Sequence, residues 1–376
     1  MILVKAALFL LLIFLAPSCS RTVIITRTDT AAQEINNEIE PITEQVITEQ
    51  ITEEQIPPVM VCYEGRILNI FFHPLVARPE TAFNSSRRDY FLDWYITASE
   101  YRNILFELYI GGYVLVDIKE LYEVNYENGR KNVLGKKPLI PEGKKPLVLS
   151  VDDLSYYPRV REYASVHKLV IDEHGGIAAW TDSPDGGELS YDLDVVTYLE
   201  EFVKKYPDFS VRGARGIIGM TGYLGVLGYQ THESDAPEYR EEKVKAIAVA
   251  DKLKKMGWHF ASHSWGHPDL SVISMERFMN DTNRWDMEVR PIVGDTDLFI
   301  YPFGEGVERQ EVKHSVLRDR GFNIFFDVGS GFGYLQGQGF IYFDRRSIDG
   351  VYFKSARNPS LRLFDFNKVI DTEARR

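Results

Sequence analysis

From residue 60 onward, short runs rich in apolar, β-branched and aromatic residues recur at 67–72, 113–116, 147–151, 216–220, 259–262, 298–301, 324–327 and 340–343. Longer stretches with helical spacing of apolar positions lie between them, at 90–108, 194–205, 240–256, 275–289 and 310–319, and Gly257 follows the third as a helix stop. Such alternation predicts an α/β fold on a mainly parallel sheet or barrel. The segment 168–180, with Gly175-Gly176 at its centre, departs from the alternation and predicts an inserted β-hairpin. Polar residues gather just after the predicted strands: His73, the pair Asp152-Asp153, His263, and Tyr301-Pro302-Phe303-Gly304. In a parallel barrel the strand C-termini share one face, so these segments are expected to converge there.

The N-terminal part has a different pattern. Lys5 precedes an apolar core, 6–16, too short to span a membrane comfortably, and the stretch ends in Ala16-Pro17-Ser18-Cys19. Residues 1–19 therefore read as a secretory signal, with Cys19 the candidate lipidated residue of a bacterial membrane lipoprotein; plain secretion or a retained anchor is the alternative. Residues 20–58 include an acidic Ile-Thr-Glu-Gln repeat without aromatics that closes on Pro57-Pro58. Such a segment buries too little surface to offset its ordering entropy and reads as a tether, or as a marginal helix. Residues 59–376 are expected to form the folded domain. The chain's 376 residues, 44% hydrophobic, are enough for a large core. Its net charge of -12 and lack of a basic run argue against nucleic acid, and disfavour anionic glycans unless a local patch overrides the total. Cys62 is the one other cysteine, expected to be an unpartnered small apolar residue.

His263 and His267, four apart, together with a carboxylate from a strand end, make a ligand set for a divalent metal with an open coordination position. The second carboxylate is then free to act on water. In order along the chain, Ser150-Val151-Asp152-Asp153, His263-Ser264-Trp265-Gly266-His267-Pro268 and Tyr301-Pro302-Phe303-Gly304 resemble the first three motifs of the polysaccharide deacetylase family, the NodB-homology domain of carbohydrate esterase family four. That family's fold is a distorted, incomplete (β/α) barrel. Its catalytic histidine usually lies near the C-terminus, yet no histidine follows His314 here. Circularly permuted members, similar to enzymes that deacetylate poly-N-acetylglucosamine, carry it on the first strand, where this chain has His73. The resemblance covers about 66–328.

The resemblance implies a metal-dependent hydrolase that removes acetyl groups from N-acetylated or O-acetylated cell-surface or extracellular polysaccharide. Asp153, His263 and His267 would hold a divalent ion, most simply zinc; Asp152 would be the general base and His73 the general acid. The backbone N–H of Phe303 would face the oxyanion. Tyr301, with Trp180 and Trp265, would either line a sugar-stacking groove or belong to the core. Departures from the pattern fall at Leu154, where the family has Gly, and at Ile300, where it has an Arg that braces the catalytic carboxylate. Arg345 or Arg346, from a neighbouring strand, is expected to replace that Arg, with Arg346 and Asp327 as the outer candidates and Asp327 as the partner of His73. Two other readings stay open: an inactive glycan-binding lipoprotein of the same fold, and an esterase on acetyl esters.

Overall fold

In a computed structural model of the protein, the structure describes residues 57–127, 130–307, 312–355 and 362–376. Eight strands occupy the predicted runs: β1 (Leu68–Phe72), β2 (Tyr113–Leu115), β3 (Lys145–Asp152), β4 (Ile217–Met220), β5 (His259–Ser262), β6 (Leu298–Ile300), β7 (Ile324–Val328) and β8 (Ile341–Ser347). All but β2 close into a seven-stranded parallel barrel in the order β1-β3-β4-β5-β6-β7-β8 and back to β1. The odd strand out follows from the length of β3. Its first half pairs with β2 through Lys145, Pro146 and Leu147, and its second half pairs with β4 through Ser150, Val151 and Asp152. β2 is thus a flap at the bottom of the barrel rather than a stave.

Alternation along each strand sorts side chains into two layers. Val148, Ile217, Ala261, Leu298, Ile300, Ile324, Phe326, Ile341 and Phe343 fill the inside. Leu68, Ile70, Phe72, Leu147, Leu149, Val151, Ile218, Phe260, Phe299, Phe325 and Tyr342 face outward, into the cluster shared with the helices. These helices include α1 (Arg88–Trp94), α2 (Ala98–Ile110), α3 (Val195–Lys205), α4 (Tyr239–Lys255), α5 (Met275–Arg284) and α6 (Val312–Asp319).

The single helix expected over 90–108 is two, because Thr97 starts a new one. Its hydroxyl accepts from the Glu100 N–H at 3.1 Å, and the Glu100 carboxylate accepts from the Thr97 N–H at 2.8 Å, a reciprocal cap. Arg375 pairs with the same fully buried Glu100 and donates to the carbonyls of Leu92 and Tyr95, pinning α1 to α2. Thr97→Ala is expected to cost about 1 kcal/mol, read as a lower urea midpoint at unchanged slope. The helix expected over 275–289 leaves α-geometry at Trp285 for one wide turn, and the Trp285 indole donates to the Met220 carbonyl at 3.0 Å.

The predicted insertion is present and larger than a hairpin: Lys168–Ile171, Ile177–Thr181 and Glu188–Ser190 form a three-stranded meander. A further hairpin, Tyr122–Glu127 with Arg130–Gly135, has no counterpart among the expected elements. Cys62 is half-buried and disulfide-bonded, which corrects the expectation of an unpartnered thiol. The signal, tether and lipidation readings for 1–56, Cys19 included, lie outside the described residues. Among the described residues no helix is long and apolar enough to cross a membrane.

Asp194 caps α3 by accepting from the Val196 N–H, and also accepts from the Tyr156 hydroxyl at 2.9 Å. Burial outweighs these bonds and pushes its carboxyl up to about 6. A carboxyl that binds its proton more tightly when folded loses stability as pH rises from its unfolded value, about 3.9, through 6. Relative to Asp194→Asn, which keeps a capping side chain, the wild type should lose on the order of 2 kcal/mol between pH 4 and pH 7. Paired urea titrations at the two pH values measure it; a difference that does not change with pH would contradict the assignment.

Candidate active site

The strand ends on one rim of the barrel bring the predicted segments together around a cavity of about 420 Å³. His73, Asp152, Asp153, His263, His267, Phe303 and Arg345 all line it. Asp152 faces inward by the alternation of Val148, Ser150 and Asp152. An unbroken strand would send Asp153 to the opposite face, but its φ of 63° turns the chain and aims both carboxylates into the same cavity. Leu154 takes no left-handed conformation and is fully buried, so the residue that replaces the family's Gly is absorbed by the core.

His263 follows the inward parity of Ala261. Its Nδ1 lies 2.9 Å from the Ile300 carbonyl, which fixes the ring as the tautomer with Nε2 free to accept. Burial pushes the imidazole down to about 4, so it is neutral at neutral pH. The loop from His263 to His267 has left-handed residues at Ser264 and His267. It is held from α5, where Asp281 accepts from the N–H groups of Trp265 and Gly266 at 2.8 and 2.7 Å. Non-glycine residues in this conformation cost free energy, and four of them, Asp153, Ser264, His267 and Phe303, sit at this rim.

One ligand atom from each of Asp153, His263 and His267 lies within 4.8 Å of the others. Nε2 of each histidine is 4.0 Å from Asp153 Oδ1. Burial alone would raise the Asp153 carboxyl, but His267, His263 and His73 and the Tyr157 hydroxyl hold it below the usual range. Tyr157 donates to Oδ1 at 2.6 Å. An ionised carboxylate beside a neutral imidazole of fixed tautomer and a second imidazole fits a divalent cation, so the chemistry of the donor set agrees with the expected ion.

Asp152 is held differently. Arg345 meets it with two parallel hydrogen bonds, 2.9 Å to Oδ1 and 2.8 Å to Oδ2, and also reaches Ser150 Oγ at 2.9 Å. Burial raises this carboxyl too, and Arg345 with His263 outweighs it, keeping Asp152 ionised. The brace is therefore Arg345 and not Arg346. Inward parity on β8 runs Ile341, Phe343, Arg345, so Arg346 points outward, near the rings of Phe332 and Tyr352. The same rule places two other residues on the outward side. Tyr301, next after Phe299 in the outward set, reaches the edge of the cavity, but its side chain is fully buried and stacked against the rings of Phe325 and Tyr342. Asp327 follows Phe325 outward on β7, with β8 between it and β1.

His73 packs edge-on to Phe71 and tilted against Tyr95, open to the cavity. Phe303 is 64% exposed, with its ring edge-on to His267 at 4.6 Å. Trp265 donates to Glu288 beneath the Arg284 guanidinium, away from the cavity wall, and Trp180 lies on the inserted meander. The wall instead uses Trp94, 49% exposed, with Tyr90, Tyr95 and Arg159, none of which sequence reasoning singled out. They come from the short helix split off by the Thr97 cap and from the turn after Asp153, and no motif marks either. Tyr157 was missed for the same reason.

Residues 238–324 match the family model described as polysaccharide deacetylase. The match runs from the start of α4 to the start of β7. No curated protein matches it. Among solved structures it is similar to the Streptococcus pyogenes deacetylase PplD in complex with acetate, at 14% identity over 81% of this chain and 99% of that one, with a TM-score of 0.41. A de-N-acetylase from Aggregatibacter actinomycetemcomitans is 17% identical over 76% and 96% of the two chains, with a TM-score of 0.42. BC0361, a polysaccharide deacetylase from Bacillus cereus, is 12% identical over 79% and 69%, with a TM-score of 0.41.

Proposed function

We propose that the protein is a metal-dependent hydrolase that removes acetyl groups from N-acetylated polysaccharide outside the cytoplasm. The observation that carries this reading is the meeting of Asp153, His263 and His267 at the barrel mouth beside an ionised Asp152 clamped by Arg345. The three would hold a divalent ion, zinc by its preference for imidazole and carboxylate ligands. When bound, the ion supplies Lewis acidity, which polarises the acyl carbonyl and acidifies water. Asp152, kept ionised and oriented, takes the proton of the attacking water. His73, across the cavity, gives a proton to the departing amine, which amide cleavage requires and ester cleavage needs far less. The Phe303 N–H is assigned to the developing oxyanion.

The barrel begins with the His73 strand, inserted between the strand of Asp152 and the last one, which fits the permuted layout that the sequence resembles. An extracytoplasmic location is supported by the apolar segment 6–16.

The test is acetate release by the zinc-loaded protein from N-acetylglucosamine oligomers, peptidoglycan and acetylated xylan. Release from the amide substrates supports the proposal, and release from xylan esters alone points to an esterase. Glycan binding without release, by folded and metal-loaded protein, points to the inactive reading.

A further inference from the structure

Arg159 stands in the wall of the active-site cavity, on the short helix Pro158–Arg161 that follows the carboxylate pair. Its guanidinium lies 4.7 Å over the ring of Tyr157 and beside the hydroxyls of Tyr90 and Tyr223. All three neighbours are tyrosines, and none brings a carboxylate. Arg345, the other arginine of the cavity, is neutralised by Asp152, whereas among the described residues Arg159 has no carboxylate partner. A guanidinium is always charged and carries five donors in a planar fork suited to carboxylate, more than two phenolic oxygens can satisfy. Holding such a group half-buried without an opposite charge is unfavourable unless a ligand provides one. Trp94 and Phe303 offer the exposed apolar faces that a sugar ring would cover.

We propose that Arg159 recognises a carboxylate on the glycan, so that the preferred substrate is an acidic polysaccharide whose carboxylate lies within a sugar unit of the acetamido group attacked beside Asp152. The inference rests on the deacetylase reading above. It also reverses the expectation from net charge, because a single uncompensated cation in a cleft sets the local field that a bound group feels. A different role for Arg159 is available in the same geometry: by stacking on Tyr157 it could position the phenol that donates to Asp153. That role would act on every substrate alike.

The deciding probes are two N-acetylated oligosaccharides that differ in one group, a 3-O-lactyl ether carboxylate and its methyl ester. The wild type should favour the acid in kcat/KM by about tenfold or more. Arg159→Gln should bring the ratio to about one, and Arg159→Lys, which keeps the charge without the fork, should retain part of it. A wild-type ratio near one overturns the proposal, as does an acid preference that survives Arg159→Gln while both rates fall together, the mark of a positioning role. If the wild type turns over neither compound, the deacetylase reading is what fails, and Arg159 is then judged by calorimetric titration with the same pair. Tighter binding of the acid that disappears in Arg159→Gln supports carboxylate recognition, and equal dissociation constants overturn it.

Discussion

His263→Ala should abolish metal retention and turnover together, whereas Asp152→Asn should keep the metal and lose about a thousandfold in kcat/KM, the scale of general base catalysis. The contrast follows from how the two side chains are held. His263 has one nitrogen committed to the Ile300 carbonyl and the other 4.0 Å from Asp153, and burial keeps it neutral, so the ring is preorganised as a ligand and its loss leaves two donors. Asp152 contributes no atom to the cluster of Asp153, His263 and His267, and asparagine preserves its shape while removing its capacity to accept a proton. Metal content per chain by mass spectrometry, read beside acetate release, separates the two. Removing the ion from the wild type with a chelator should reproduce the His263→Ala loss, and re-addition should restore only the wild type. Full activity in Asp152→Asn would withdraw the base assignment, and full metal occupancy in His263→Ala would withdraw the ligand set. His263→Ala also leaves the Ile300 carbonyl without its donor, a cost of roughly 1–3 kcal/mol, so the melting curve of each variant belongs to the experiment.

The site was largely legible in the sequence because its chemistry falls at strand ends, and strand ends are what hydrophobic patterning locates best. Asp152, Asp153, His263 and His267 each follow a run that proved to be a barrel strand. Parity is equally written in the chain. Counting by twos from Phe343 puts Arg345 inside and Arg346 outside, and counting from Phe299 puts Tyr301 with the helices. What the sequence did not disclose is tertiary. The division of β3 between two neighbours, which expels β2 from the barrel, depends on which edges meet when the sheet closes. Thr97 and Glu100 at capping spacing were visible, yet the helical period runs on through them, and the break became decisive only because Arg375 docks on Glu100. The cavity wall made by Trp94, Tyr95 and Arg159 follows from that break.

Arg345→Met is expected to cost about 3–5 kcal/mol in stability, measured with chelator present, and to inactivate the protein. Both members of this pair are almost wholly buried, at 2% exposure each, and Asp152 draws both of its hydrogen bonds to a cation from the one guanidinium. Methionine fills the volume beneath Phe71, which the guanidinium covers at 4.3 Å, so the loss would come from a stranded charge rather than a cavity. Without Arg345, burial prevails and the carboxyl rises toward the neutral form, which cannot serve as a base. The double variant Asp152→Asn with Arg345→Met should recover most of the stability lost in Arg345→Met, because it no longer buries an unpaired ion, while remaining inactive. A coupling energy of about 2 kcal/mol or more in this cycle, from urea midpoints of the four proteins, is the expected signature. Additive losses would mean that Asp152 is held by the barrel rather than by the arginine. Arg345→Lys tests the geometry separately, since an ammonium restores the charge but cannot meet both carboxylate oxygens in parallel. If orientation of Asp152 matters beyond its ionisation, the lysine variant regains stability more fully than it regains turnover.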